Sequence, residues 1–394
     1  MVRLYCPDTL DLVSLLAERG HVEWVNSAPK LYYVMTVIYR ARWNKTNHEG
    51  DFVPVHAKTL RKVLGTRFAR HATNLLIELG IIETDGHYKV GRKSRGYRFT
   101  DPYRNVRFYQ VAEVANWQLP DSLRADVQAR HSGEAGQFLY ETMQRVTLDM
   151  KVKDFLKQLP LESMTQQDYY ERAVENIQLK EWFFATDQRS GRVFNNITGL
   201  PKKLRPFLRL DGKPLVETDV ANCQPFLLLG LYGNEPEREQ FQEWVKDGQF
   251  YEKFAAAVGF ECSPVNRGEF KDSVLVFLFD RVRRTPHKYA EIFAKQFPVL
   301  YSRIVMAKQG DYRNLARRLQ ADEASIVINT FVRRVAQTSR MPVLTIHDSV
   351  LSLEEHVSEV RELLGEKFRE RFGVAPLLRV KRQPTENTAQ ALAA

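Results

Sequence analysis

Cysteine is scarce: Cys6, Cys223 and Cys262 are the only three in 394 residues, too far apart for metal-ligand spacing. That excludes a disulfide scaffold or a cysteine-rich zinc module and leads us to expect a reduced, cytoplasmic protein. No apolar run approaches the roughly 20 residues a membrane-spanning helix needs, so no membrane association is expected. The opening MVRLYCPDTLDLVSLLAERG sets acids among its apolar positions and has no small-residue cleavage site, so no secretory leader is expected either. No repeat period and no long low-complexity tract is present, which excludes solenoids. What is there is a chain 44% hydrophobic, long enough for two or three domains, with a net charge of +10. A basic balance suits a polyanionic partner and is a weak cue by itself.

The pattern divides the chain at about 1–105, 106–185 and 186–385, with a frayed tail at 386–394. In the first part LYYVMTVIYRARW is apolar at helical spacing, and a small helix follows from about Ala57 to a break at Gly65. RFARHATNLLIELG then sets Ala69, Ala72, Leu75, Leu76 and Leu79 on one face and stops at Gly80. IIETDGHYKV and RGYRFT read as strands joined by GRKS. This order predicts a winged helix-turn-helix, with Arg67, Arg70, His71 and Asn74 on the third helix and Arg92, Lys93, Arg95 and Arg98 on the wing facing DNA. A protein-interaction module with a solvated basic face is the alternative. The middle part reads as helical, either a connector or a thumb-like grip on duplex product. The third part alternates short strands with helices, an α+β arrangement rather than a doubly wound one.

The chemistry concentrates in that third part. Asp219 closes the apolar strand PLVETDV, and Asp348 sits within MPVLTIHDSVLSL. An aspartate in an apolar strand is costly unless paired or metal-bound. Two carboxylates on neighbouring strands suit a pair of magnesium ions, with manganese as a substitute. Arg267, Lys271, Leu275 and Phe279 recur every four residues, which lays two cations, an aliphatic side chain and a ring along one helix face. The cations suit a triphosphate and the ring a base or sugar. Taken singly, each feature is as well explained by a cap, an ion pair or a solvated helix end.

Together the segments over 186–355 resemble the polymerase A family, which includes bacterial DNA polymerase I, and its relatives the single-subunit phage-type RNA polymerases. Asp219-Val-Ala-Asn-Cys-Gln224 is similar to the first motif, Arg267-x3-Lys271-x7-Phe279 to the second, and His347-Asp348-Ser349 to the third. Ser190 to Asn196 is similar to the template- and primer-contacting segment, and Gln320 to the palm glutamine. The resemblance implies a right-hand palm-and-fingers domain in which Asp219 and Asp348 bind the metals. It implies that Arg267 and Lys271 bind the triphosphate, Lys271 also protonating the leaving pyrophosphate, with Leu275, Phe279 and Gln224 beside the nucleotide. Arg192, Asn195, Asn196, Gln320 and His347 would contact primer or template.

Three positions depart from the DNA-polymerase pattern. Gln224 stands where glutamate is usual, Phe279-Asp280 where tyrosine-glycine is usual, and Ser349 is closer to the RNA polymerases. The expected function is a compact DNA polymerase for plasmid or phage replication, its partners being DNA template and primer, nucleoside triphosphates and other replication proteins. A single-subunit RNA polymerase or primase using NTPs is the first alternative, and a non-catalytic replication initiator or DNA-binding regulator the second.

Overall fold

The computed structural model describes residues 2–42, 52–87, 94–114, 133–160, 164–263, 265–281 and 288–382. Every strand pairing among them is antiparallel, so the mixed helix-and-sheet class is α+β and not doubly wound. The chain forms two compact units: Met1–Ala129 with Leu156–Val174, and Arg130–Phe155 with Glu175–Ala394. No helix of the described residues is long and apolar enough to cross a membrane. The expected tail at 386–394 lies outside the described residues.

In the first unit β1 (Val2–Pro7) pairs with β5 (Phe108–Val114). This corrects the helical reading of the stretch after residue 105. FYQVAEV alternates aromatic and branched residues with polar ones, the period of a strand. Helix α1 (Ala28–Ala41) buries Leu31, Val34, Met35 and Ile38, one helical stripe. α2 (Ala57–Leu64) and α3 (Thr66–Glu78) are separated by Gly65 at φ 77°, a left-handed conformation that suits glycine. α3 buries Ala69, Ala72, Leu75 and Leu76 against this core. Strands β2 (Val53–Pro54), β3 (Ile82–Thr84) and β4 (Gly96–Phe99) form a sheet in the order β2-β4-β3. The N-terminal part of α4 (Met164–Gln178) belongs to this unit, and the Arg172 guanidinium lies 3.6 Å from the centre of the Tyr5 ring.

The second unit is built on a four-stranded sheet of β6 (Val216–Val220), β7 (Val343–Ile346), β8 (Ser349–Ser352) and β9 (Leu378–Lys381), in the order β7-β8-β6-β9. Alternation along β6 buries Val216, Thr218 and Val220 and leaves Glu217 and Asp219 on the other, more open face. Helix α8 (Val357–Phe372), with Val360, Leu364, Phe368 and Phe372 buried, packs on the sheet. Helix α5 (Phe250–Ala257) neighbours α6 (Arg267–Phe279). Helix α7 (Asn314–Ala324) runs on into a π-helical stretch, Ser325–Val332, a widened geometry that often accompanies functional sites.

Candidate active site

The register of the central sheet sets the site. Asp219 on β6 lies opposite Ser349 on β8, and Ile346 lies opposite Ser349 across the hairpin. His347 and Asp348 are therefore the two turn residues between β7 and β8. His347 takes the left-handed conformation, φ 56°, that so tight a turn requires. The Ser349 hydroxyl lies 2.9 Å from Asp219 Oδ1 and 3.0 Å from Glu217 Oε1. Lys381 Nζ lies 3.0 Å from Glu217 Oε1 and 3.1 Å from Asp219 Oδ2. Period-two alternation on one strand and cross-strand pairing on two others thus collect Glu217, Asp219, Ser349 and Lys381 on one face.

Behind them is a buried ionic knot. Glu323, in the last turn of α7, is 1% exposed. It accepts hydrogen bonds from Arg192 Nε at 2.8 Å and Nη2 at 2.6 Å, the two-pronged geometry that guanidinium and carboxylate favour. Gln224 Nε2 donates to the same carboxylate at 3.1 Å. Asp348 is partly open to solvent, yet desolvation of its carboxyl, then the charges of Glu323 and Asp219, push its pKa up to about 7. The charge of Arg192 opposes that shift but does not outweigh those causes. Arg192, Glu323 and His347 also line a small pocket with Val193 and Thr345.

The helix that carries the four-residue spacing is α6. Phe270, Val274, Phe277 and Leu278 form its buried ridge, while Lys271 is exposed and Arg267, Leu275 and Phe279 are half-buried. Arg267 Nε bonds Glu252 Oε1 at 2.5 Å. Arg267 and Lys271 lie 5.5 and 5.9 Å from the centre of the Tyr251 ring, so both cations of the motif gather on one buried phenol. Burial pushes the Tyr251 hydroxyl pKa up, and the charge of Arg267 opposes it. Burial raises the thiol pKa of Cys223, as do the charges of Asp348, Glu323 and Asp219, so this group stays neutral.

Other expected residues are placed elsewhere. The Asn195 carboxamide accepts from the Ile197 and Thr198 amides, capping its own turn. Asn196 bonds the Phe183 amide and the Glu181 carbonyl, closing the hairpin base. Both are tied to local backbone rather than presented to a groove. Phe194 between Val193 and Asn195 is exposed, and its ring meets that of His347 edge-on at 6.2 Å. Gln320 is half-exposed one turn before Glu323. In the first unit Arg67, Arg70, His71 and Asn74 are exposed along α3, and Arg95 is exposed before β4. Arg98 is instead held in the sheet, 2.7 Å from its cross-strand partner Glu83 and 4.2 Å from the Phe52 ring. Arg92 and Lys93 lie outside the described residues.

Four residues of the site were not anticipated: Glu217, Glu323, Tyr251 and Lys381. Glu217 was signalled by its position two before Asp219, on the same strand face. Glu323 and Tyr251 had no comparable local signal, because their roles depend on partners far away in sequence. Among the described residues no group of three or more His, Cys, Asp or Glu side chains is arranged to hold a metal by itself.

No family model matches the chain, and no curated protein matches its sequence. Among solved structures, the POL domain of Pol1 from M. smegmatis, in complex with DNA primer-template and dNTP, is similar over 67% of this chain and 72% of that one. The sequence identity is 12% and the TM-score 0.44. A likeness that distant leaves the site's chemistry to be argued from its own residues.

Proposed function

We propose that the second unit is a template-directed nucleotidyltransferase, most simply a compact DNA polymerase that extends a 3′ end. The observation that carries the reading is the pairing of Asp219 with Ser349. It puts Asp219 and Asp348 on adjoining elements of one hairpin-and-strand face, where burial and then the charges of Glu323 and Asp219 raise the Asp348 pKa to about 7. A carboxylate cluster so short of positive charge fits magnesium, which is commonly held by one or two carboxylates together with substrate phosphates. Asp219 and Asp348 would hold two ions, magnesium or manganese, which would supply charge neutralisation at the reacting phosphate.

The chain's own groups do the rest. Arg267 and Lys271, on one face of α6, bind the triphosphate, and Lys271, the exposed one, donates a proton to the departing pyrophosphate. Leu275 and Phe279 continue that face towards base and sugar. Arg192 and Gln224 are oriented by Glu323, while His347 and Phe194 offer rings to the primer or template end. The first unit is read as a winged helix. That reading is supported by the helix order, the β2-β4-β3 sheet and the exposed Arg67, Arg70, His71 and Asn74. Plasmid or phage replication, beside other replication proteins, is the setting that suits a small polymerase carrying its own site-recognition unit.

Primer extension on a single-stranded template tests the proposal, with dNTPs and NTPs supplied separately and with or without primer. Asp219→Ala and Asp348→Ala are each expected to abolish synthesis; synthesis by either variant refutes it. Product with NTPs alone selects the RNA polymerase or primase reading, and nucleotide-independent DNA binding without synthesis selects the initiator reading.

A further inference from the structure

Asp219 lies directly opposite Arg379 on β9, the cross-strand position from which an arginine would ordinarily neutralise it. It does not. The Arg379 guanidinium is turned to the Gly248 carbonyl at 3.1 Å, an acceptor it shares with the Asn222 side-chain amide at 2.6 Å. Neutralisation falls instead to Lys381, two residues on along the same face of β9. Lys381 stands opposite Glu217, and its long stem reaches diagonally to Asp219, so one ammonium spans both carboxylates at 3.0 and 3.1 Å. Among the described residues it is the one cation within ion-pair distance of Asp219. Its side chain is 51% exposed, so it can swing away without leaving a buried hole.

We propose that Lys381 is a built-in counter-ion of the Glu217–Asp219 pair, holding the place of a divalent cation and setting how tightly one binds. This rests on reading Asp219 as a metal ligand. An ammonium carries one positive charge against the two carboxylates it bridges and the third at Asp348. It keeps the strands from repelling one another yet leaves the cluster undercharged. A divalent ion arriving at Asp219 must displace it, and so binds more weakly than the carboxylates alone would allow.

Calorimetric titration of the full chain with Mn2+ at low ionic strength tests this. Lys381→Met is expected to bind Mn2+ about tenfold more tightly than the wild type, the order expected for one charge removed from a half-exposed site. Lys381→Arg, which keeps the charge, is expected to retain the weaker wild-type affinity. Asp219→Asn is expected to lose the binding in either background. Unchanged or weaker binding by Lys381→Met, with Asp219→Asn still abolishing it, overturns the counter-ion role and leaves the metal reading standing. Binding that survives Asp219→Asn overturns the metal reading and the counter-ion role with it.

Discussion

Asp348 occupies a turn position where a neutral residue would cost less. Burial and the nearby charges of Glu323 and Asp219 oppose its ionisation and outweigh the Arg192 guanidinium, which is hydrogen-bonded to Glu323. The consequence for stability has a definite sign. The pKa in the folded chain, about 7, lies above the ordinary carboxylate value of 3.8, so the folded state binds this proton more tightly than the unfolded one. Stability from the group is therefore present at low pH and is lost as pH rises from about 4 through 7. In chelator-treated protein the melting temperature is expected to carry such a falling component. Asp348→Asn, which cannot ionise, should flatten it, and adding Mn2+ to the wild type should offset it near pH 7. A melting profile identical in wild type and Asp348→Asn would show that the carboxyl is not under this strain.

Elements hold the site through a few close approaches. At Gly248 φ is +71°, and an added Cβ would stand 2.7 Å from Ala221 Cβ, 3.2 Å from Leu377 and 3.3 Å from Arg379 Nη2. Gly310 shares the left-handed conformation at φ +78° with open space around it, and so serves as a control. Gly310→Ala is expected to cost about 1–2 kcal/mol from backbone conformation alone. Gly248→Ala should cost about 1–3 kcal/mol more, because the collision involves packed backbone-proximal atoms at the β6–β9 seam. Urea unfolding of the two variants measures the difference, and equal losses would mean the seam yields easily. The same contrast explains what could be read from sequence. Helix α6 was legible because its four-residue spacing is local, and Asp219 stood out as an aspartate closing an apolar strand. The Glu323–Arg192 pair spans 131 residues, and the diversion of Arg379 to Gly248 also spans 131, so neither has a local pattern. The local backbone bonds of Asn195 and Asn196 had no sequence signal either, because asparagine serves a turn's backbone as readily as a ligand.

At the scale of the whole molecule, the first unit is discontinuous in sequence. The sequence pattern marked a boundary near 105, yet residues 156–174 return to this unit after a segment that belongs to the other. The reason is visible at Arg172. Its guanidinium stacks 3.6 Å from the Tyr5 ring centre and 5.3 Å from that of Tyr39, while Asp168, one turn earlier, is 6% exposed. Tyr5 lies on β1 and Tyr39 on α1, so α4 covers an aromatic surface made by the strand that opens the chain and the longest helix of the unit's core. A fragment ending at residue 129 would leave those two rings uncovered and lose a desolvated cation–π contact worth about 2 kcal/mol, besides the apolar area that α4 buries. The expectation is that such a fragment melts well below the first unit within the full chain and binds a hydrophobic dye. Arg172→Ala in the full chain should lower the first unit's own transition in the same direction by a smaller amount. Unfolding followed by hydrogen exchange at α1 separates that loss from changes in the second unit. Full protection of α1 in the shorter fragment would mean that the returning helix is an ornament on a unit already complete without it.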